Sequence, residues 1–120
     1  MNDKYKPLLF DHAVPMRMYG VDAKTVDKLR RELKSDKQAI REWIMAQEEV
    51  SRRRAKNMQL HHVVPLSLGG DNNRGNLVLA DPFPHKLIHE FLDMQERPFP
   101  RNYRYMLLPI FSGRVWTLNL

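Results

Sequence analysis

A chain of 120 residues with 42% hydrophobic and 28% charged residues is long enough for one modest core and has an ordinary globular composition, with no indication of disorder. It contains no cysteine, so disulfides and thiolate zinc clamps are excluded and histidine and carboxylate remain as metal ligands. A formal net charge of +6 and a pI near 9.8, with most of the excess in residues 1–60, favour an acidic partner, of which nucleic acid is the commonest.

Residues 1–20 lack periodicity and hold Pro7, Pro15 and Gly20, which predicts an extended arm and loop with Leu8, Leu9 and Phe10 packed on the domain. His12 lies there without other histidines at a useful distance and is read as a surface or capping residue. Asp22 can cap a helix in which Val26, Leu29 and Leu33 share one face, surrounded by Lys24, Lys28, Arg30, Arg31 and Lys34. Ser35 with Gln38 three residues on has the form of a capping box, so a second helix is expected, carrying Ile40, Trp43, Ile44 and Val50 to about Lys56. The expectation is an αα-hairpin serving as a packing platform rather than as a helix-turn-helix reader of DNA. The run Ser51 to Lys56 concentrates cations. Such a run is ordinarily a solvated helix face, but its place before the histidine-rich segment makes Arg52, Arg53, Arg54 and Lys56 candidates for phosphate contact.

The segment Leu60 to Phe91 holds four of the five histidines. Leu60 to Leu66 and Asn76 to Ala80 are short apolar runs on either side of a loop rich in Gly and Asn, which predicts a β-hairpin. Asp81, Pro82 and Pro84 then open a helix in which Leu87, Ile88, Phe91 and Leu92 recur until Pro98. His85 and His89, four apart, share one face of that helix, whereas the adjacent His61 and His62 point to opposite sides of a strand. One of that adjacent pair can bind while the other acts. The division suits a three-histidine metal site with an open position and a fourth histidine left as a base. Beyond the helix, residues 97–104 read as a proline-broken connector, and Arg114 to Leu120 as a terminal strand with Trp116, Leu118 and Leu120 on one side. Trp43 and Trp116 are expected in the core. Arg74, Arg101 and Arg104 join the candidate nucleic-acid contacts.

The motif H-H-x-x-P at His61, His62 and Pro65, followed by Gly69-Gly70, Asn76-Leu77 and H-x-x-x-H at His85 and His89, resembles the HNH (ββα-metal) nucleases. Within that family it is similar to the branch that opens with two histidines, as in colicin-type DNases. The resemblance covers about thirty residues, Leu60 to Phe91, and implies a ββα-metal motif over about residues 60–94; with one domain over 1–120 expected from length, the fold expected is α+β, the motif packed on the αα-hairpin. It implies His62 as general base, His61, His85 and His89 as metal ligands, and Asn76 as the residue that ties the loop and so orients the base. The chain lacks the cysteine pairs that bind structural zinc in many relatives, and it has His61 where many carry Asp.

The expected activity is metal-dependent hydrolysis of phosphodiesters in duplex DNA, with nicking by a monomer or weak dimer. Three imidazoles favour Zn²⁺, Ni²⁺ or Mn²⁺ over Mg²⁺, which prefers oxygen ligands. With no signal peptide and no apolar run of membrane-spanning length, a soluble cytoplasmic protein is expected. A stand-alone phage or mobile-element nuclease is expected over a toxin domain, because the chain begins at Met and shows no delivery region. The alternatives are a non-catalytic DNA-binding protein with a closed histidine zinc site, and a basic interaction protein without metal.

Overall fold

The computed structural model describes Tyr5 and residues 13–96 and 104–117. Leu8, Leu9, Phe10, His12, Arg101, Tyr103, Leu118 and Leu120 lie outside these residues, as does the side chain of Arg104. The fold is α+β. Strand β1 (Ala13–Met18) pairs antiparallel with β4 (Arg104–Pro109), while β2 (Gln59–His62), β3 (Leu77–Ala80) and β5 (Val115–Trp116) form a second sheet in the order β2-β3-β5. Helices α1 (Ala23–Gln47), α2 (Arg52–Ala55) and α3 (Pro82–Glu96) complete it.

The expected αα-hairpin is corrected to one helix of 25 residues. Asp22 does cap it, accepting from the Thr25 amide at 2.8 Å. Ser35 opens no second helix: its hydroxyl donates back to the Glu32 carbonyl and Gln38 bonds to Glu42, both contacts along a continuous helix. Residues 21–64 contain no Gly or Pro, and Val26, Leu33, Ile40 and Ile44 maintain one buried stripe through Ser35. The helix stops at Gln47, before a left-handed Glu49 with φ 53°, and the basic run forms a separate short α2 capped by Ser51. Arg41 fastens α1 to the turn that follows, donating to the carbonyls of Met58 at 2.7 Å and Ala55 at 2.9 Å.

The extended arm is corrected in part as well. Residues 13–18 are a paired strand whose partner begins at Arg104, inside the stretch expected to be a connector. Both strands carry a proline, Pro15 and Pro109, which the outer strands of a sheet accommodate. At the C-terminal end the strand assigned to residues 114–120 contracts, among the described residues, to Val115–Trp116.

The hairpin forms as expected, β2 against β3, with His61 opposite Val78 and His62 opposite Leu77, but its first strand ends at His62 rather than Leu66, where a helical turn begins. Strand β3 is buried along its whole length and separates two apolar clusters. Val78 and Ala80 belong with Ile88, Phe91 and Trp116 on the α3 side. Leu77 and Leu79 belong with Leu33, Ile40 and Ile44 on the α1 side. Alternate side chains of one short strand thus build both halves of the core.

Candidate metal centre and its flanking histidine

The loop joining β2 to β3 depends on two glycines with different physical duties. Gly69 ends a single helical turn (Leu66–Leu68) at φ 99°, a left-handed conformation that L side chains rarely adopt. At Gly70 the backbone presses on the segment that follows β2, and a Cβ there would lie 1.8 Å from the Val64 carbonyl oxygen. Asn76 ties the other end of the loop. Its Oδ1 accepts from the Val64 amide at 2.8 Å, while its Nδ2 donates to the carbonyls of Val64 at 3.0 Å and Asp71 at 2.9 Å. Asn76 is therefore a brace across the loop and does not itself line the cavity beside the histidines.

The structure brings His61, His85 and His89 together. One ring nitrogen from each lies within 4.8 Å of the other two. The His61 ring is 5.1 Å from that of His85 and 5.4 Å from those of His89 and Trp116. Only 1% of His61 is exposed, and neither of its ring nitrogens has a hydrogen-bond partner. Burying a polar group without a partner is costly, so this imidazole is a donor set waiting for an acceptor of lone pairs. His85 is aimed by Gln59: the amide oxygen of Gln59 can only accept, which places the proton on His85 Nδ1 and leaves Nε2 with its lone pair. That Nε2 lies 2.8 Å from Nε2 of His89. Three neutral imidazoles converging in this way fit a divalent transition-metal ion.

His62 lines the same cavity, of ≈ 330 Å³, together with Arg30 from α1 and Asp93 from α3. Its ring is anchored apart from the other three. Nε2 is 2.9 Å from Oδ1 of Asn72, whose Nδ2 donates to the Leu29 carbonyl of α1 at 2.7 Å. All four histidines are held below the ordinary imidazole range. Burial, then the neighbouring His85, His89 and His62, pushes His61 down to about 3. Burial and the nearby His89 push His85 down to about 4. Burial also lowers His62, opposed by the Asn72 hydrogen bond and reinforced by Arg30, and burial lowers His89. Neutral rings are the form that ligates metal or takes a proton.

Among the described residues, the candidate phosphate contacts do not gather at this cavity. Arg52 pairs with Glu42 at 2.6 Å, and Arg54 makes a two-pronged pair with Asp81 at 2.9 and 2.8 Å, holding that carboxyl below its usual range. Asp81 stands at the N-cap position of α3, its carbonyl accepting from the His85 amide at 3.0 Å, while its carboxylate is held by Arg54. Arg53 and Lys56 are exposed. Arg74 lies over the Trp43 ring at 5.1 Å and Arg114 at 4.8 Å, so Trp43, expected in the core, is half-buried at its edge, packed on the α1-side cluster. Trp116 is buried as expected.

Three residues of the site were not singled out from the sequence for it. Gln59 carried a usable signal, since it precedes His61 by two positions on a strand and so shares its face. Asn72 and Arg30 carried none, because their place depends on how α1 packs against the loop. No family model, no curated protein and no solved structure matches this chain.

Proposed function

We propose that this chain is a metal-dependent endonuclease of the HNH (ββα-metal) kind that hydrolyses phosphodiester bonds of duplex DNA. The observation that carries the reading is the division of labour among four histidines in one cavity: three converge through ring nitrogens, with His61 wholly unpartnered, while His62 is held separately by Asn72. His61, His85 and His89 would hold one divalent ion, with Zn²⁺, Ni²⁺ or Mn²⁺ favoured over Mg²⁺ by the nitrogen donors. When bound, such an ion neutralises charge on the phosphoryl oxygens and stabilises the departing alkoxide.

The protein's own groups supply the remainder. Neutral His62 takes a proton from water, the water oxygen attacks phosphorus, and the bond to the 3′ oxygen breaks, giving 5′-phosphate and 3′-hydroxyl ends. Arg30, a cation on the cavity wall, meets the phosphate that flanks the cut. The net charge of +6 attracts the polyanion over a longer range.

Incubating the purified protein with supercoiled plasmid in EDTA or in Mg²⁺, Mn²⁺, Ni²⁺ or Zn²⁺ tests the proposal. Open-circular product with at least one ion and none in EDTA is expected. Metal bound at one ion per chain without cleavage under any ion would replace the nuclease with a non-catalytic protein carrying a structural zinc site.

A further inference from the structure

The contacts of Asn72 determine which nitrogen of His62 is basic. The Leu29 carbonyl can only accept a hydrogen bond, so the Asn72 group 2.7 Å from it must be the NH₂. The amide oxygen therefore faces His62, and at 2.9 Å it can only accept. Nε2 of His62 must then carry the ring proton, and Nδ1 holds the lone pair. The other end of this chain of bonds is firmly placed: Leu29 lies within α1, and Asn76 grips the Asp71 carbonyl immediately before Asn72. We infer that Asn72 is a positioning residue that locks His62 in the tautomer with its proton on Nε2 and so makes Nδ1 the atom that receives the proton from water. Its catalytic consequence rests on the nuclease reading; its structural content does not.

The lock has a mechanistic use. An imidazole free to exchange tautomers spends part of its time with a proton on the nitrogen that must accept one, and an unanchored ring also loses aim. Once Nδ1 is protonated, the Asn72 oxygen still accepts from Nε2, so the imidazolium keeps its place through the step. No second proton leaves the ring.

Ring-nitrogen NMR of the Zn²⁺-loaded, ¹⁵N-labelled protein reads the tautomer directly, in wild type, Asn72→Ala and Asn72→Asp. Wild type should show His62 protonated at Nε2 only. Asn72→Ala should show a mixture, with kcat for plasmid nicking lower by about 10- to 100-fold, the scale on which outer-sphere partners act, at unchanged zinc stoichiometry and KM. Asn72→Asp keeps an acceptor for Nε2–H but loses the donor to Leu29, so it should retain the single tautomer and recover much of kcat. A wild-type ring protonated at Nδ1 would overturn the inference without any variant. So would an Asn72→Ala protein that keeps the pure Nε2–H form while both variants lose activity equally, since Asn72 would then only tie the loop to α1. If wild type shows the locked tautomer and Asn72→Ala releases it, but no protein cuts DNA with any ion, the lock stands and the nuclease reading falls.

Discussion

The two faces of the β2–β3 hairpin make different environments for neighbouring histidines. On the α3 face, His61 lies opposite Val78 and joins His85, His89 and Trp116; its nitrogens are dry and unpartnered. His62, one residue on and opposite Leu77, is drawn through Asn72 to α1 and has a cation for a neighbour. A single step of strand pleat therefore separates the environment of the proposed ligand from that of the proposed base. Adjacent histidines on a strand are a compact way to encode two roles, because the backbone itself keeps them from becoming interchangeable.

Removing single histidines from either environment should give the largest effects. His62→Ala should retain metal stoichiometry and thermal stability while losing about 10²-fold or more in cleavage, as expected for removal of a positioned base. His61→Ala, His85→Ala and His89→Ala should lose metal first, and excess ion should partly restore cleavage to the latter two but not to His62→Ala. Metal titration alongside plasmid nicking separates the classes. Equal metal loss in His62→Ala would erase the distinction between the faces.

Next in size is the loop that spans both faces. Gly70→Ala places a methyl group against the Val64 carbonyl, where the contact is with backbone that Asn76 also holds. A loss of about 1–3 kcal/mol, the range for overpacking, is expected in chemical denaturation. Gly75→Ala, where a Cβ meets nothing within 4 Å, provides the matched control.

The α3 face should also be the acid-sensitive one. With metal removed by EDTA, His61 titrates near 3 when folded and near 6.5 when unfolded, so between those values the unfolded chain binds more protons. Stability is therefore whole above pH 6.5 and falls as pH drops below it, by about 2 kcal/mol at pH 5 from this residue alone. His61→Phe should flatten the dependence of Tm on pH across that window. A flat wild-type profile would mean that His61 is not dry.

The smallest effect concerns the α1 face. Arg30→Ala should raise KM for DNA several-fold and lower the log-log salt slope of binding by about 0.9, one phosphate contact. Arg52→Ala and Arg54→Ala should change the slope less, since both cations already have carboxylate partners. The reverse ranking would return the phosphate contact to the basic run.

How much was legible from sequence follows the same division. The hairpin, the helix after it and the convergence of His61, His85 and His89 depend on local rules: turn glycines, helical spacing and strand alternation. Asn76 was readable as a loop tie. The length of α1 was not, because Ser35 is compatible with both a cap and a helix interior, and only the continuing stripe through Ile40 and Ile44 decides between them. The β1–β4 pair was missed because its strands meet from opposite ends of the chain and neither has a turn to announce it. Asn72 reaches Leu29 across a tertiary contact, which no window of neighbouring residues contains.

Trp116 makes the surroundings of His61 depend on the last described strand. The amides of Leu79 and Asp81 bond to the carbonyls of Arg114 and Trp116, so β3 acquires its second neighbour only when the late-synthesised β5 arrives, and the same arrival sets the Trp116 ring against His61. His61, His85 and His89 all precede Trp116 in the chain, and of the three only His61 is buried and has that ring beside it. Long-range closure of this sort is slow compared with forming the hairpin or α3. A chain that stopped before Val115 would thus carry the full histidine motif without the ring that packs on His61.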